Sequence, residues 1–248
     1  SYFQTVADWL ADRHGWHSDP RLMLHTPGVV VSLSLLIQNF TCPGDKIIIQ
    51  TPVYYPFFDV IKNNGRILVE NPLKNTGGHY TMDYESLEKA AADGAKLLLL
   101  CSPHNPVGRV WTRRELERLG DICLKHNIRI IADEIHSDIV FPGHKHIPLA
   151  SISEELSQNT ITCLAPSKTF NLAGLQASIV IFPNKEDKNK FDDVLGVLDI
   201  RRNSCFNLVA VEAAYKHGQE WLSAVLAYIE DNFRYIGEFC REHLLPVR

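Results

Sequence analysis

Short apolar runs alternate with amphipathic stretches along most of the chain. Runs of strand length lie at 22–25, 46–50, 66–70, 96–101, 128–133, 160–165 and 178–182. Between them, apolar residues recur at helical spacing over 29–40, 56–63, 84–92 and 113–126, and an amphipathic helical stretch opens the chain. Alternation of this kind predicts a parallel sheet covered by helices. Residues 97–100 are all leucine, the pattern of a strand buried on both faces. Breakers fall between the segments at Pro43-Gly44-Asp45, Asn64-Gly65 and Gly77-Gly78. Beyond about residue 184 the pattern is wholly helical, over 186–200, 205–217 and 219–243. The predicted fold class is α/β: a three-layer sandwich with a mostly parallel seven-stranded sheet, helices on both faces and a helical C-terminal end. No repeat or linker divides it.

Composition narrows the function classes. The chain has 248 residues, 45% hydrophobic and 22% charged, which excludes low-complexity disorder, collagen and coiled coil. No apolar run approaches the ~18–20 residues that span a bilayer. Net charge is −4, and Arg113-Arg114 and Arg201-Arg202 are isolated basic pairs. An acidic chain without a basic face argues against a nucleic-acid partner. Cys42, Cys101, Cys123, Cys163, Cys205 and Cys240 form no CxxC pair and no compact disulfide framework. A reducing, cytoplasmic location fits. The first residue is serine and no signal core follows; both ends read as cut from something longer.

In a sheet of this type ligands sit beyond the C-terminal ends of the strands. Those ends carry Thr26-Pro27-Gly28, Thr51-Pro52-Val53-Tyr54, Asn105 in a proline-rich turn, Asp133-Glu134-Ile135-His136 and Ala165-Pro166-Ser167-Lys168. Pyridoxal phosphate (PLP) chemistry needs such a set. A lysine amine forms a Schiff base with the cofactor aldehyde. A carboxylate keeps the pyridine nitrogen protonated, so the ring accepts electrons. An amide polarises the 3′-oxygen, an aromatic stacks on the ring, and a helix N-terminus holds the phosphate. Pro103 and Pro106 make their X–Pro bonds candidates for the cis form.

Three ordered motifs carry a resemblance over essentially the whole chain. They are Ser102-Pro103-His104-Asn105-Pro106-Val107-Gly108, Asp133-Glu134-Ile135-His136 and Ser167-Lys168-Thr169-Phe170-Asn171-Leu172-Ala173-Gly174-Leu175. The chain resembles the large, cofactor-binding domain of a fold-type I PLP enzyme of the class I/II aminotransferase superfamily, and within it the cystathionine β-lyase (C–S lyase) branch. The resemblance implies that Lys168 is the Schiff-base lysine and moves the substrate Cα proton. Asp133 is then the pyridinium partner and Asn105 the donor to the 3′-oxygen. Tyr54 is the stacking aromatic, with a one-residue slip to Tyr55 open. Lys168, Asp133 and Tyr54 make the catalytic set. Backbone N–H groups of Gly28, Val29 and Val30 hold the phosphate, and Ser167 adds a hydroxyl. Glu134 is expected to point elsewhere.

Departures from the family pattern matter. His136 replaces a frequent tyrosine and is expected near the 3′-oxygen or the substrate. Gln176 replaces a frequent arginine and Ala165 a frequent serine, leaving the phosphate to backbone amides, Ser167 and groups outside the chain. Residues 1–248 correspond to the large domain alone. The small domain, with its carboxylate-binding arginine, is then expected to lie outside these residues, and Arg201 and Arg202 suit a solvated or interface role better. A homodimer with a shared active site is implied. His144-Lys145-His146 lacks an acid or cysteine at ligand spacing, so no metal site is expected. The activity implied is C–S β-lysis of L-cystathionine or a related cysteine S-conjugate. An aminotransferase would use the same first residues, and a partner-binding module of a transcriptional regulator is the non-enzymatic reading.

Overall fold

The structure, a computed structural model, describes residues 2–201 and 204–243. Helix α1 (Tyr2–His14) precedes strand β1 (Met23–Thr26) and helix α2 (Val29–Phe40). Strand β2 (Lys46–Ile49), helix α3 (Pro56–Lys62) and strand β3 (Ile67–Glu70) follow, then a small hairpin of β4 (Lys74–Thr76) and β5 (His79–Thr81). Next come α4 (Tyr84–Ala92), β6 (Leu97–Cys101), α5 (Arg113–Lys125), β7 (Arg129–Asp133), α6 (Glu154–Asn159) and β8 (Thr160–Leu164). The last elements are α7 (Pro166–Thr169), β9 (Ser178–Ile181), α8 (Lys185–Val197), α9 (Cys205–His217) and α10 (Gln219–His243).

The main sheet has the order β1-β9-β8-β7-β6-β2-β3. Neighbours pair in parallel except β9, which is antiparallel to both β1 and β8. Alternate residues of each strand feed opposite layers. Leu97, Leu99, Ile131, Ile161 and Val180 join α2, α3 and α8 on one face. Leu98, Leu100, Ile130 and Ala132 join α4, α5 and α6 on the other. Toward the β1 edge this second layer continues as α1 and α9, through Val6, Leu10, Ile179 and Val211. The four leucines of β6 are thus buried on both sides, each worth about 1.5–3 kcal/mol relative to exposure. This is the three-layer α/β fold that the periodicity predicts.

Local chemistry ends the helices where the pattern stops. Thr112 and Glu115 form a reciprocal capping box at the start of α5. Asp83, Ser153 and Asn184 cap α4, α6 and α8 through their side chains. The β4–β5 hairpin and α6 were not anticipated. The hairpin strands have three residues each and are largely exposed, so no apolar alternation marks them. Helix α8 stops at Val197, short of the expected 200. Arg201 pairs with Asp192 in an exposed ion pair; Arg202 lies outside the described residues.

Candidate active site

Strand direction decides which loops meet. Because β1, β2, β6, β7 and β8 run the same way, the segments after them emerge at one edge of the sheet. A cavity of about 230 Å³ opens there. Gly28, Val29, Val30, Tyr54, Asn105, Asp133, His136, Ser167 and Lys168 all line it, so the structure brings together every site residue expected from the sequence. Pro27, Cys101, Ala173 and Gln176 line it as well.

Asp133 ends β7 and sits in register between Cys101 of β6 and Cys163 of β8. In-register neighbours share a face, so the carboxyl is flanked by two buried thiols. It is 5% exposed and accepts one hydrogen bond, from Ile135 N–H at 3.2 Å. Burial pushes its pKa up to about 7; the Ile135 N–H bond opposes this, the Glu134 charge adds to it and Lys168 opposes it. The same burial, beside the Asp133 charge, pushes both thiols up. Glu134 faces the other side of the strand. It accepts from His146 Nε2 at 3.0 Å and Leu149 N–H at 2.9 Å, a structural role.

Tyr54, not Tyr55, lines the cavity. Tyr55 is 71% exposed, and the two ring centroids lie 5.4 Å apart. Burial, then the Tyr55 and Asp133 charges, raise the Tyr54 pKa. Its N–H donates to Asn105 O at 3.0 Å, which ties the β2 loop to the β6 loop. His104, buried, makes a second tie: its Nε2 donates to Pro52 O at 2.9 Å and its ring edge meets Trp111 at 5.4 Å. Cis peptides precede Pro52, Pro103 and Pro106, where the sequence points to only one, before Pro103 or Pro106.

The turn into α2 is built by hydroxyls that the sequence reading passed over. Thr26 Oγ1 is 2.6 Å from Ser32 Oγ and 2.7 Å from Ser178 Oγ. Gly28 N–H donates to Ser178 Oγ at 3.0 Å. That bond gives the Gly28 N–H a partner within the protein, at a residue that also lines the cavity. Val29 and Val30 open α2, where helical N–H groups lack intrahelical partners. Gly28 has φ +140° and ψ 150°, a conformation essentially confined to glycine.

Lys168, on the short turn α7, stands exposed at the cavity mouth. His136 is half-buried opposite; burial, then the Lys168 charge, lower its pKa, so its imidazole is neutral at neutral pH. An amine, a buried acid, an aromatic face and a helix N-terminus thus surround one cavity. That set suits a flat cationic heteroaromatic ring bearing an anionic group. Among the described residues, no cluster of three or more His, Cys, Asp or Glu could hold a metal ion, and no helix is long and apolar enough to cross a membrane.

Residues 2–236 match the model of the family described as aminotransferase class I and II. The chain belongs to that family. It is 43% identical over 98% of its length to cystathionine beta-lyase PatB of Bacillus subtilis, covering 63% of that protein. A PLP-bound protein of Clostridium difficile 630 superposes with a TM-score of 0.95 at 51% identity, covering 97% of this chain and 62% of that one. Cystalysin from Treponema denticola, whose structure contains pyridoxal 5′-phosphate, gives 0.94 at 41% identity, covering 97% and 61%. The chain therefore spans less than two thirds of each of these relatives.

Proposed function

We propose that this cavity holds pyridoxal 5′-phosphate and that the protein containing the chain is a C–S β-lyase. It would cleave L-cystathionine or a related cysteine S-conjugate to a thiol, pyruvate and ammonia. The observation that carries the reading is the convergence of Lys168, Asp133 and Tyr54 on one cavity at the start of α2.

Each residue has a distinct task. Asp133 would pair with the ring nitrogen, and a cation there would draw its carboxyl back toward the ordinary range. Tyr54 stacks on the ring. Asn105 and the neutral His136 donate toward the 3′-oxygen. Val29 and Val30 N–H groups and the Ser167 hydroxyl hold the phosphate, while Gly28 supplies the turn that aims them. Lys168 would hold the cofactor through its amine. The bound cofactor supplies an electron sink for charge developing at the substrate Cα. The Lys168 amine would take the substrate Cα proton, and cleavage of the Cβ–S bond would leave its electron pair on sulfur. With one water consumed, L-cystathionine yields homocysteine, pyruvate and ammonia.

The name of the Bacillus relative supports lysis over transamination, as does the Asp133–His136 motif. The assay uses the full-length protein with PLP and L-cystathionine, without a keto-acid acceptor. Pyruvate released over many turnovers is expected. Accumulation of the pyridoxamine form without pyruvate overturns lysis in favour of transamination. Lys168→Ala should abolish turnover and the borohydride-stable label on the protein.

We also propose that the chain is the large domain and acts as a homodimer in the cytoplasm. Exposed Val30, Val31 and Tyr55 beside the cavity support a subunit contact there. Exposed Tyr228, Phe233 and Ile236 on α10 support cover by a small domain. The free thiols suit a reducing compartment. Sedimentation of the full-length protein as a monomer would overturn the dimer.

A further inference from the structure

We propose that Asp138 is a positioning residue for Lys168, acting through Thr169. The proposal rests on the reading of Lys168 as the cofactor-bearing lysine.

Asp138 lies on the segment leaving β7 and is 3% exposed. Its Oδ2 accepts from Thr169 Oγ1 at 2.9 Å. Its Oδ1 accepts from two side chains of α1, Trp9 Nε1 at 3.1 Å and His14 Nε2 at 2.9 Å, and pairs with the Arg13 guanidinium, whose Nε lies 3.0 Å away. Arg13 Nη2 also donates to the Asp138 carbonyl at 3.1 Å. A buried carboxylate is costly unless it is paired and hydrogen-bonded, and this one is both. Burial acts to raise its pKa, but the His14 bond, the His14 and Arg13 charges and the Thr169 bond hold the carboxyl below the usual range.

Thr169 is the residue after Lys168, on a helix of only four residues. One turn has too few internal bonds to fix its own direction. The Thr169 tether supplies that direction by fastening the turn to a carboxylate that three α1 side chains hold in place. A second arm reaches Asp133. The His14 ring meets the His146 ring edge-on at 5.3 Å, and His146 holds Glu134, the residue after Asp133. Helix α1, which contributes nothing to the cavity lining, therefore braces both sides of it. No reacting atom is touched; the effect passes through the backbone of 168–169.

The test uses the full-length holoenzyme with Thr169→Val, Thr169→Ser and Asp138→Asn. Five quantities are read: kcat and KM per borohydride-reducible cofactor, PLP affinity by titrating the apoprotein, the pH midpoint of the absorption band of the Lys168-bound cofactor, and the urea midpoint. Thr169→Val keeps the shape and removes the donor. We expect its kcat to fall roughly 10- to 100-fold, the scale of a misplacement of up to ~1 Å. KM should change far less, PLP affinity should weaken and the absorption midpoint should move. Thr169→Ser should restore wild-type values throughout. Should Thr169→Val not fold, Asp138→Asn gives the same readouts. A lowered urea midpoint with wild-type kcat, PLP affinity and absorption midpoint makes the role purely structural and overturns the proposal. Absence of the reduced label on Lys168 in the wild type overturns the cofactor reading and this inference together. A label on Lys168 in every variant, with unchanged turnover, overturns only the positioning role.

Discussion

Asp133→Asn is expected to stabilise the cofactor-free protein while disabling the loaded one. The Asp133 carboxyl is buried, and burial lifts its pKa from an ordinary 3.8 to about 7. A carboxyl whose folded pKa lies above its unfolded value holds its proton more tightly when folded. Between pH 4 and 7 the folded chain therefore binds more protons than the unfolded chain, and stability falls as pH rises through that window. The rise to about 7 corresponds to about 4 kcal/mol, at ~1.4 kcal/mol per pH unit. Asparagine carries no charge to desolvate and keeps an oxygen for Ile135 N–H. The assay is urea unfolding of the full-length apoprotein at several pH values from 4 to 8, wild type against variant. The two should nearly coincide near pH 4, and the variant should be more stable by about 2–4 kcal/mol at pH 8. PLP should then stabilise the wild type strongly and the variant much less, because a neutral amide offers no charge to the ring cation. A stability difference that does not change between pH 4 and 8, or a less stable variant at pH 8, refutes the reasoning.

Two further substitutions test the cavity walls. Tyr54→Phe should retain PLP affinity and Tyr54→Ala should weaken it about fivefold, the loss of ~1 kcal/mol of stacking, read by titrating the apoprotein. Gly28→Ala meets no atom within 4 Å, so its cost is purely conformational at φ +140°. It should lower unfolding stability by about 1–3 kcal/mol and weaken PLP binding by moving the first turn of α2, measured by urea titration and by PLP affinity. Unchanged values at Gly28→Ala would mean that the turn adopts another backbone conformation without loss.

Much of this architecture was written locally. The strands were legible because each residue of β6 or β8 is buried, and burial on both faces demands an unbroken apolar run. The helices were legible from periodicity, because one apolar face of each must cover the sheet. The site residues were legible because the ends of parallel strands must meet at one edge, so chemistry found after each apolar run converges. The rest depends on contacts that sequence spacing does not encode. Pairing with β1 and β8 reversed β9 and delivered Ser178 to the Gly28 N–H. Loop path, not composition, turned Tyr54 inward and Tyr55 outward. Cys101 and Cys163 read as ordinary buried thiols until the register set them on either side of Asp133, in the burial that raises its pKa. Asp138 gave no signal at all: its partners lie at 9, 13, 14 and 169, and only packing of α1 against the sheet brings them together. Burial leaves a mark on each residue in turn, whereas register and long-range hydrogen bonds exist only once the layers have closed.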